Sequence, residues 1–249
     1  MSEQANLYED VAIVMITMDE EGSIRQVARD LRRDVPGASI TIVDSSKDRT
    51  PEIAAEEDVE VVRQFPPKGY GPAMVRALTH PDRPIVVTLD CDGTYPTATV
   101  PKLVEMVRSG HDIAGTTRLA HGRPSTMPWG NYLGNKLFNV VSSLLFLRRI
   151  RDVHSGMRAY RRETIHGFAW LAEPPALPVE LLLLPIRAGM KVEEIAIPYA
   201  ERIGETTLQR LSSTVWTFRR ILRARTVPLD DVRTQVAAAD RPTVTVGRD

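Results

Sequence analysis

The chain of 249 residues carries 32 basic and 32 acidic side chains, so its formal net charge is zero and it lacks the basic excess of nucleic-acid binders. With 43% hydrophobic and 26% charged residues it has the makings of a sizeable core, which excludes wholesale disorder. A lone cysteine, Cys91, excludes an internal disulfide and a multi-cysteine zinc site, and fits a reducing, cytoplasmic setting.

The opening, MSEQANLYEDV, is polar and acidic and has neither the basic start nor the apolar centre of a secretory signal. VAIVMITM (11–18), SITIVD (39–44), VEVV (59–62) and PIVVTLD (84–90) are continuous apolar runs rich in Val and Ile, the pattern of strands buried on both faces. Helical patterns separate them. Ile24, Val27, Leu31 and Val35 share one face; Thr50-Pro51-Glu52 reads as a cap, a first-turn proline and a first-turn acid. A helix is predicted over 97–108, capped by Thr97 or Thr99, with Val100, Leu103, Val104 and Val107 inward. This alternation predicts right-handed βαβ units, a mainly parallel sheet and ligands outside the carboxyl ends of the strands, where Asp44 and Asp90 fall.

From about residue 115 the alternation loosens into a loop rich in Gly, Pro and Arg (115–130), and this half reads as substrate-binding. The apolar helix LFNVVSSLLFL (137–147) is far short of the roughly 20 residues that cross a bilayer. It is expected to be a buried core helix; followed by RRIR (148–151), it also has the make-up of a segment lying on an anionic membrane surface. In 206–225 the residues Leu208, Leu211, Val215, Phe218 and Leu222 fall at helical spacing with arginines on other faces, which predicts a closing amphipathic helix. Residues 226–249 show no sustained period and are expected to form a flexible tail.

The chemistry concentrates in IVVTLDCDGTYP (85–96). On an extended segment Asp90 and Asp92 share one side while Cys91 points away. Two adjacent acids call for a cation, and hard oxygen ligands suit Mg²⁺ or Mn²⁺ held jointly with substrate phosphates; a surface Asp-Gly turn is the plainer alternative. PPKGYGPAM (66–74) sets Lys68, Gly69 and Gly71 before a helix, where backbone N–H groups approach phosphate, although the G-x-G-x-x-G pattern fails at Met74. The five histidines form no metal-spaced pair, and Ser155 lacks the context of a nucleophile elbow.

Taken in order, VMITMDEEGSI (14–24), IVDSSKDRTPEIA (42–54), KGYGPAMVRAL (68–78), LDCDGTYP (89–96), GTTR (115–118), GNKLFN (134–139), DVHSGMRAYRRE (152–163), KVEEIAIPY (191–199) and ERIGETTL (201–208) resemble the motifs of the inverting GT-A glycosyltransferases of family 2, in their dolichol-phosphate mannose synthase-like branch. The resemblance covers about 11–225. It implies a single α/β, Rossmann-like GT-A domain over 1–225, with a nucleotide-binding half (about 11–115) and an acceptor half (about 116–225). It further implies that Asp90 lies near ribose and metal, and that Asp92 ligates the Mg²⁺ or Mn²⁺ bridging the donor diphosphate. Asp44 and Asp48 match the nucleotide-loop acids, Asp19 and Glu20 the turn contacting base and ribose, and Lys68 and Gly71 the Lys-Gly-x-Gly segment.

The reaction so implied moves a hexose from a GDP- or UDP-linked sugar to polyprenyl or dolichyl phosphate with inversion; transfer to a soluble hydroxyl in a polysaccharide or natural-product pathway is the alternative on the same fold. A phosphate monoester, with a second pKa near ~6, arrives ionised and needs no general base. It needs cations, for which Arg118, Arg158 and Arg202 are the candidates. A hydroxyl acceptor needs a carboxylate base, for which Glu180 and Asp152 are available. The chain departs from the family where Lys47 and Arg49 replace small residues of the nucleotide loop, where Thr94 stands for a metal-contacting glutamine, and where Gly130 or Asn131 stands for a second acceptor-phosphate arginine, with Lys136 nearby. A lipid acceptor implies peripheral contact at the inner face of the membrane, and the sequence leaves a homo-oligomer open. A nucleotidyltransferase, a nicotinamide-dependent oxidoreductase and a non-catalytic nucleotide-sugar-binding subunit are the rival readings.

Overall fold

A computed structural model of the protein describes residues 7–173, 176–203 and 210–234. In chain order the nucleotide half runs β1 (Val11–Thr17), α1 (Ile24–Asp34), β2 (Ser39–Asp44), α2 (Thr50–Glu56), β3 (Glu60–Arg63), α3 (Tyr70–Thr79), β4 (Ile85–Thr88), α4 (Val100–Arg108) and β5 (Ile113–Thr117). The second half runs α5 (Trp129–Phe146), β6 (Arg158–Arg161), α6 (Arg162–His166), α7 (Leu177–Arg187), β7 (Val192–Ala196), α8 (Arg210–Thr226) and α9 (Leu229–Val232). The strands form one seven-stranded sheet in the order β3-β2-β1-β4-β6-β5-β7, with every neighbouring pair parallel except those of β6, which runs against both β4 and β5.

Continuous apolar strands arise because both faces are covered. Val11, Ile13 and Met15 of β1 enter the core under α1, α2 and α4, beside Ile24, Leu31 and Leu103; Val14 enters the core on the other face, with Met74 and Leu78 of α3 and Leu181 of α7. Strand order reverses beside β1 and β4. The crevice outside the carboxyl ends of those two strands therefore receives the turns 18–23 and 89–96, as the alternation predicts.

Three expectations are corrected. The helix predicted over 137–147 is not a core helix: within α5 only Phe138, Asn139 and Ser142 are buried, while Leu137, Val140 and Leu144 are exposed. In α8 the face expected to point inward is partly turned out. Val215 and Leu222 are exposed, whereas Ile221, Ala224 and Arg220 are buried, because the Arg220 guanidinium pairs with the buried Glu180 carboxylate and sets the rotation of the helix. Leu208 and the side chain of Leu211 lie outside the described residues. Finally, 226–234 do not begin a tail: α9 follows α8, Val232 is buried, and its carbonyl accepts the Ala169 N–H at 2.8 Å. Caps also differ in detail: Arg49, not Thr50, stands at the N-cap of α2, with Asp48 before it accepting the Thr50 N–H at 2.9 Å, and Thr97 donates to Asp34 instead of capping its own helix.

His154 packs edge-on against Phe138 of α5 and bonds Thr217 of α8 through Nε2 at 3.1 Å. Burial lowers its pKa to about 4, opposed by Asp152 and reinforced by Arg118 and Arg158. The fold thus holds His154 neutral while the unfolded chain takes up a proton below its ordinary value of 6.5. Stability from this group is intact above pH 6.5 and falls as the pH is lowered towards 4. Thermal melts at pH 7 and pH 5 are expected to show a smaller acid loss in His154→Gln than in the parent chain.

Candidate active site

The crevice is built from two interlocked turns. After β1, Asp19 adopts a left-handed backbone (φ 61°), its N–H donates to Ser46 Oγ at 2.9 Å, and its carboxylate accepts the Lys47 N–H at 2.8 Å. The next two amides continue the lock, Glu20 N–H to Thr50 Oγ1 (2.8 Å) and Glu21 N–H to Asp48 Oδ2 (3.0 Å). Asp48 is held below its ordinary value: partial burial opposes the shift, and hydrogen bonds from Thr50 and Glu21 outweigh it. Asp44 is fully buried, accepting from Thr17 at 2.8 Å and pairing with Arg63. Asp44 and Asp48 therefore shape the loop that Asp19 and Glu20 face.

β4 ends at Thr88, two residues before the sequence predicts, so the paired acids occupy the following turn. Cys91 points into the core, as alternation requires. Asp92 Oδ1 accepts the Thr94 N–H (3.0 Å) and hydroxyl (2.6 Å), so the threonine at the expected glutamine position fixes the second acid. Its Oδ2 lies 3.3 Å from Arg202 Nη1, and Arg202 Nη2 lies 2.9 Å from Glu20. Gly93 turns the chain at φ +74°, a conformation that favours glycine. Across this turn lies the segment after β7: Ala200 N–H bonds the Thr94 carbonyl at 3.1 Å and Ile203 N–H the Asp92 carbonyl at 2.9 Å.

Asp90 differs from its neighbours. Among the described residues its carboxylate accepts no hydrogen bond and forms no ion pair, and it rests against Gly156, where an added Cβ would lie 2.9 Å from Oδ2. Burial, then the charge of Asp92, pushes its pKa up to about 6, against the pull of Arg118 and Arg202. A partnerless carboxylate beside a second one, whose Oδ2 is held only by the half-buried Arg202, is a hard-oxygen donor set that fits Mg²⁺ or Mn²⁺. Among the described residues no group of three or more His, Cys, Asp or Glu side chains is placed to hold a metal, so the remaining ligands would come from substrate phosphates and water.

On the acceptor side Arg118 makes a two-pronged bond to Asp152 through Nε (2.8 Å) and Nη2 (2.9 Å) and lies 5.2 Å from the Tyr199 ring centroid. Glu194 supports this pair by accepting the Asp152 N–H at 2.9 Å. Arg118 Nη1 has no hydrogen-bond partner among the described residues. The Gly156 N–H donates to the Tyr95 hydroxyl at 2.8 Å. Tyr95, Gly156, Tyr199 and Glu194 are positioning residues that the sequence does not single out, although all four lie in motif stretches, LDCDGTYP, DVHSGMRAYRRE and KVEEIAIPY.

Two predicted roles are corrected by position. Glu180 is fully buried, pairs with Arg220 and Arg223 and accepts the Leu171 N–H at 3.2 Å, so it holds the fold together and is not placed to act as a base. Arg158 is buried too, with its guanidinium donating to the carbonyls of Pro178 (2.6 Å) and Val153 (2.9 Å), and it faces no acceptor. Lys68 is exposed just before α3. Gly71 is required by a close approach: an added Cβ would lie 1.7 Å from the Ala172 carbonyl oxygen. Gly71→Ala is expected to displace the 170–173 segment and to cost about 1–3 kcal/mol, read as a fall in chemical denaturation midpoint.

The family model described as "Glycosyl transferase family 2" matches residues 12–168. A dolichyl-phosphate hexose transferase of Haloferax volcanii is 43% identical over 202 residues, which cover 81% of this chain and 87% of that protein. A dolichol-phosphate mannosyltransferase of Pyrococcus furiosus is 26% identical over 210 residues, 80% of this chain but only 59% of that longer protein. Among solved structures, glucosyl-3-phosphoglycerate synthase of Mycobacterium tuberculosis, in complex with Mn²⁺, uridine diphosphate and glucosyl-3-phosphoglycerate, superposes with a TM-score of 0.70 at 20% identity, over 88% of this chain and 80% of that one. That likeness establishes the shared fold. With the family's motifs gathered at one crevice and its model matched across most of the sheet, the chain belongs to glycosyl transferase family 2.

Proposed function

We propose that the protein is a divalent-metal-dependent hexosyltransferase that moves a sugar from a nucleoside diphosphate to a polyprenyl phosphate, with inversion at the anomeric carbon. One observation carries the choice of acceptor. The acids available as a base for a hydroxyl acceptor are already engaged, Asp152 with Arg118 and Glu180 with Arg220 and Arg223. A phosphate monoester, ionised at neutral pH, attacks without a base. The 43% identity with a dolichyl-phosphate hexose transferase supports the same reading.

Asp90 and Asp92 would hold the cation, which when bound supplies Lewis-acid stabilisation of the departing diphosphate. Asp19 and Glu20 present the donor turn, and Asp44 and Asp48 keep that turn in register. Lys68 is free to reach a donor phosphate. Arg118, locked by Asp152 and stacked on Tyr199, offers its remaining nitrogen to the acceptor phosphate without further ordering. Arg202 bridges Glu20 and Asp92 and brings a second cation to the seam between donor and acceptor. The test is transfer of radiolabel from GDP- and UDP-hexoses, with Mg²⁺ or Mn²⁺, into the organic phase with polyprenyl phosphate. Label confined to water-soluble acceptors would overturn the acceptor assignment, and activity undiminished by chelation would overturn the metal.

A further inference from the structure

Six large apolar side chains follow one another along α5 and its C-cap at steps of three or four residues: Trp129, Leu133, Leu137, Val140, Leu144 and Leu147. At 100° per residue they share a stripe roughly 80° wide on a helix about 27 Å long. All are exposed, from 52% at Leu137 to 90% at Leu147. α8 packs on α5 through Phe138 and Phe218, with ring centroids 4.9 Å apart, and exposes Val215 and Leu222. A contiguous apolar surface of this kind on a soluble face marks an interaction site.

The charges around it identify the partner. Residues 113–151 contain six Lys or Arg and no acid, and 210–226 contain five Arg and no acid, in a chain whose totals balance at 32 and 32. Lys136, Arg148 and Arg149 border the stripe and are exposed, as are Arg219 and Arg225 of α8. Between α5 and the end of β5 a groove of about 390 Å³ has both characters, with Lys136 and Arg149 beside Val140 and Leu144. We infer that this face docks on an anionic lipid bilayer, α5 lying in the headgroup plane with its stripe toward the acyl chains and its basic border at the phosphates. A second copy of the chain fits less well, since these stretches carry no acid to meet the partner's arginines. No described helix is long and apolar enough to cross a membrane, so this face supplies attachment without insertion. The inference concerns attachment alone and does not require the proposed acceptor.

Flotation of the full chain with vesicles tests it. Binding to phosphatidylcholine vesicles containing phosphatidylglycerol is expected to exceed binding to phosphatidylcholine alone by about tenfold or more, and to weaken with salt. Leu137→Ser with Leu144→Ser, and separately Arg148→Gln with Arg149→Gln, are each expected to weaken it about tenfold or more, with little change in thermal melts because all four side chains are exposed and only Arg148 gives up a bond, to the Val192 carbonyl. Equal binding to both vesicle types, indifference to either double variant, or no binding would overturn it. So would a dimer, in sedimentation velocity, that the leucine variant dissolves while vesicles are ignored.

Discussion

Asp90→Asn is expected to lower kcat/KM for sugar transfer by about a thousandfold or more while leaving the chain at least as resistant to heat at neutral pH. The two halves of that result have one origin. Asp90 has no partner among the described residues, and burial beside Asp92 pushes its pKa up to about 6, so its charge burdens the fold and removing it relieves repulsion. A carboxylate maintained at such a site is useful for what it binds. Asp92→Asn is expected to lose a comparable factor in turnover, with some loss of stability, because Arg202 and the Thr94 bonds depend on it. Titration of Mn²⁺ with a nucleoside diphosphate should show that both variants bind the pair far more weakly than the parent chain. Turnover of Asp90→Asn within tenfold of the parent would remove the metal from the account.

The second large effect is structural. Glu180→Ala leaves Arg220, buried in the interior, and Arg223 without their carboxylate and frees the Leu171 amide, so a loss of about 3–5 kcal/mol is expected. For a chain of this size that corresponds to a melting temperature about 10 °C or more lower. Below the melting transition, kcat per folded molecule is expected to stay within a few-fold of the parent chain. A collapse of kcat in a Glu180→Gln variant that melts normally would instead restore a chemical role to this acid.

Much of the nucleotide half was legible because its signals are local. Four Val- and Ile-rich runs with helical patterns between them dictate the parallel βαβ order, and two acids after the fourth run mark the candidate cation site. The β6 strand lay in no comparable run: RAYR carries two arginines, and it belongs to the sheet because it inserts between β4 and β5, a long-range pairing without a periodic signature. Helical periodicity shows that α5 and α8 are amphipathic without saying what covers the apolar face. In α5 that face is bare. In α8 the Glu180–Arg220 pair, joining residues forty apart, overrides the hydrophobic pattern. The same limit explains Arg158 and Glu180: residue type suggested chemistry, while their partners, visible only in three dimensions, are carbonyls and guanidiniums inside the core.

The reversed direction of β6 has a consequence for how this scaffold tolerates change. Running against its neighbours, it enters the sheet at the rim where β4 and β5 leave it, and so delivers the Asp152–Gly156 segment to the same edge as Asp90 and Arg118. Connections at the opposite edge, near 35–38, 57–59, 80–84 and 109–112, carry none of this machinery. Lengthening those far connections should leave catalysis near its original rate, whereas a single residue added between Asp152 and Gly156 should silence the enzyme.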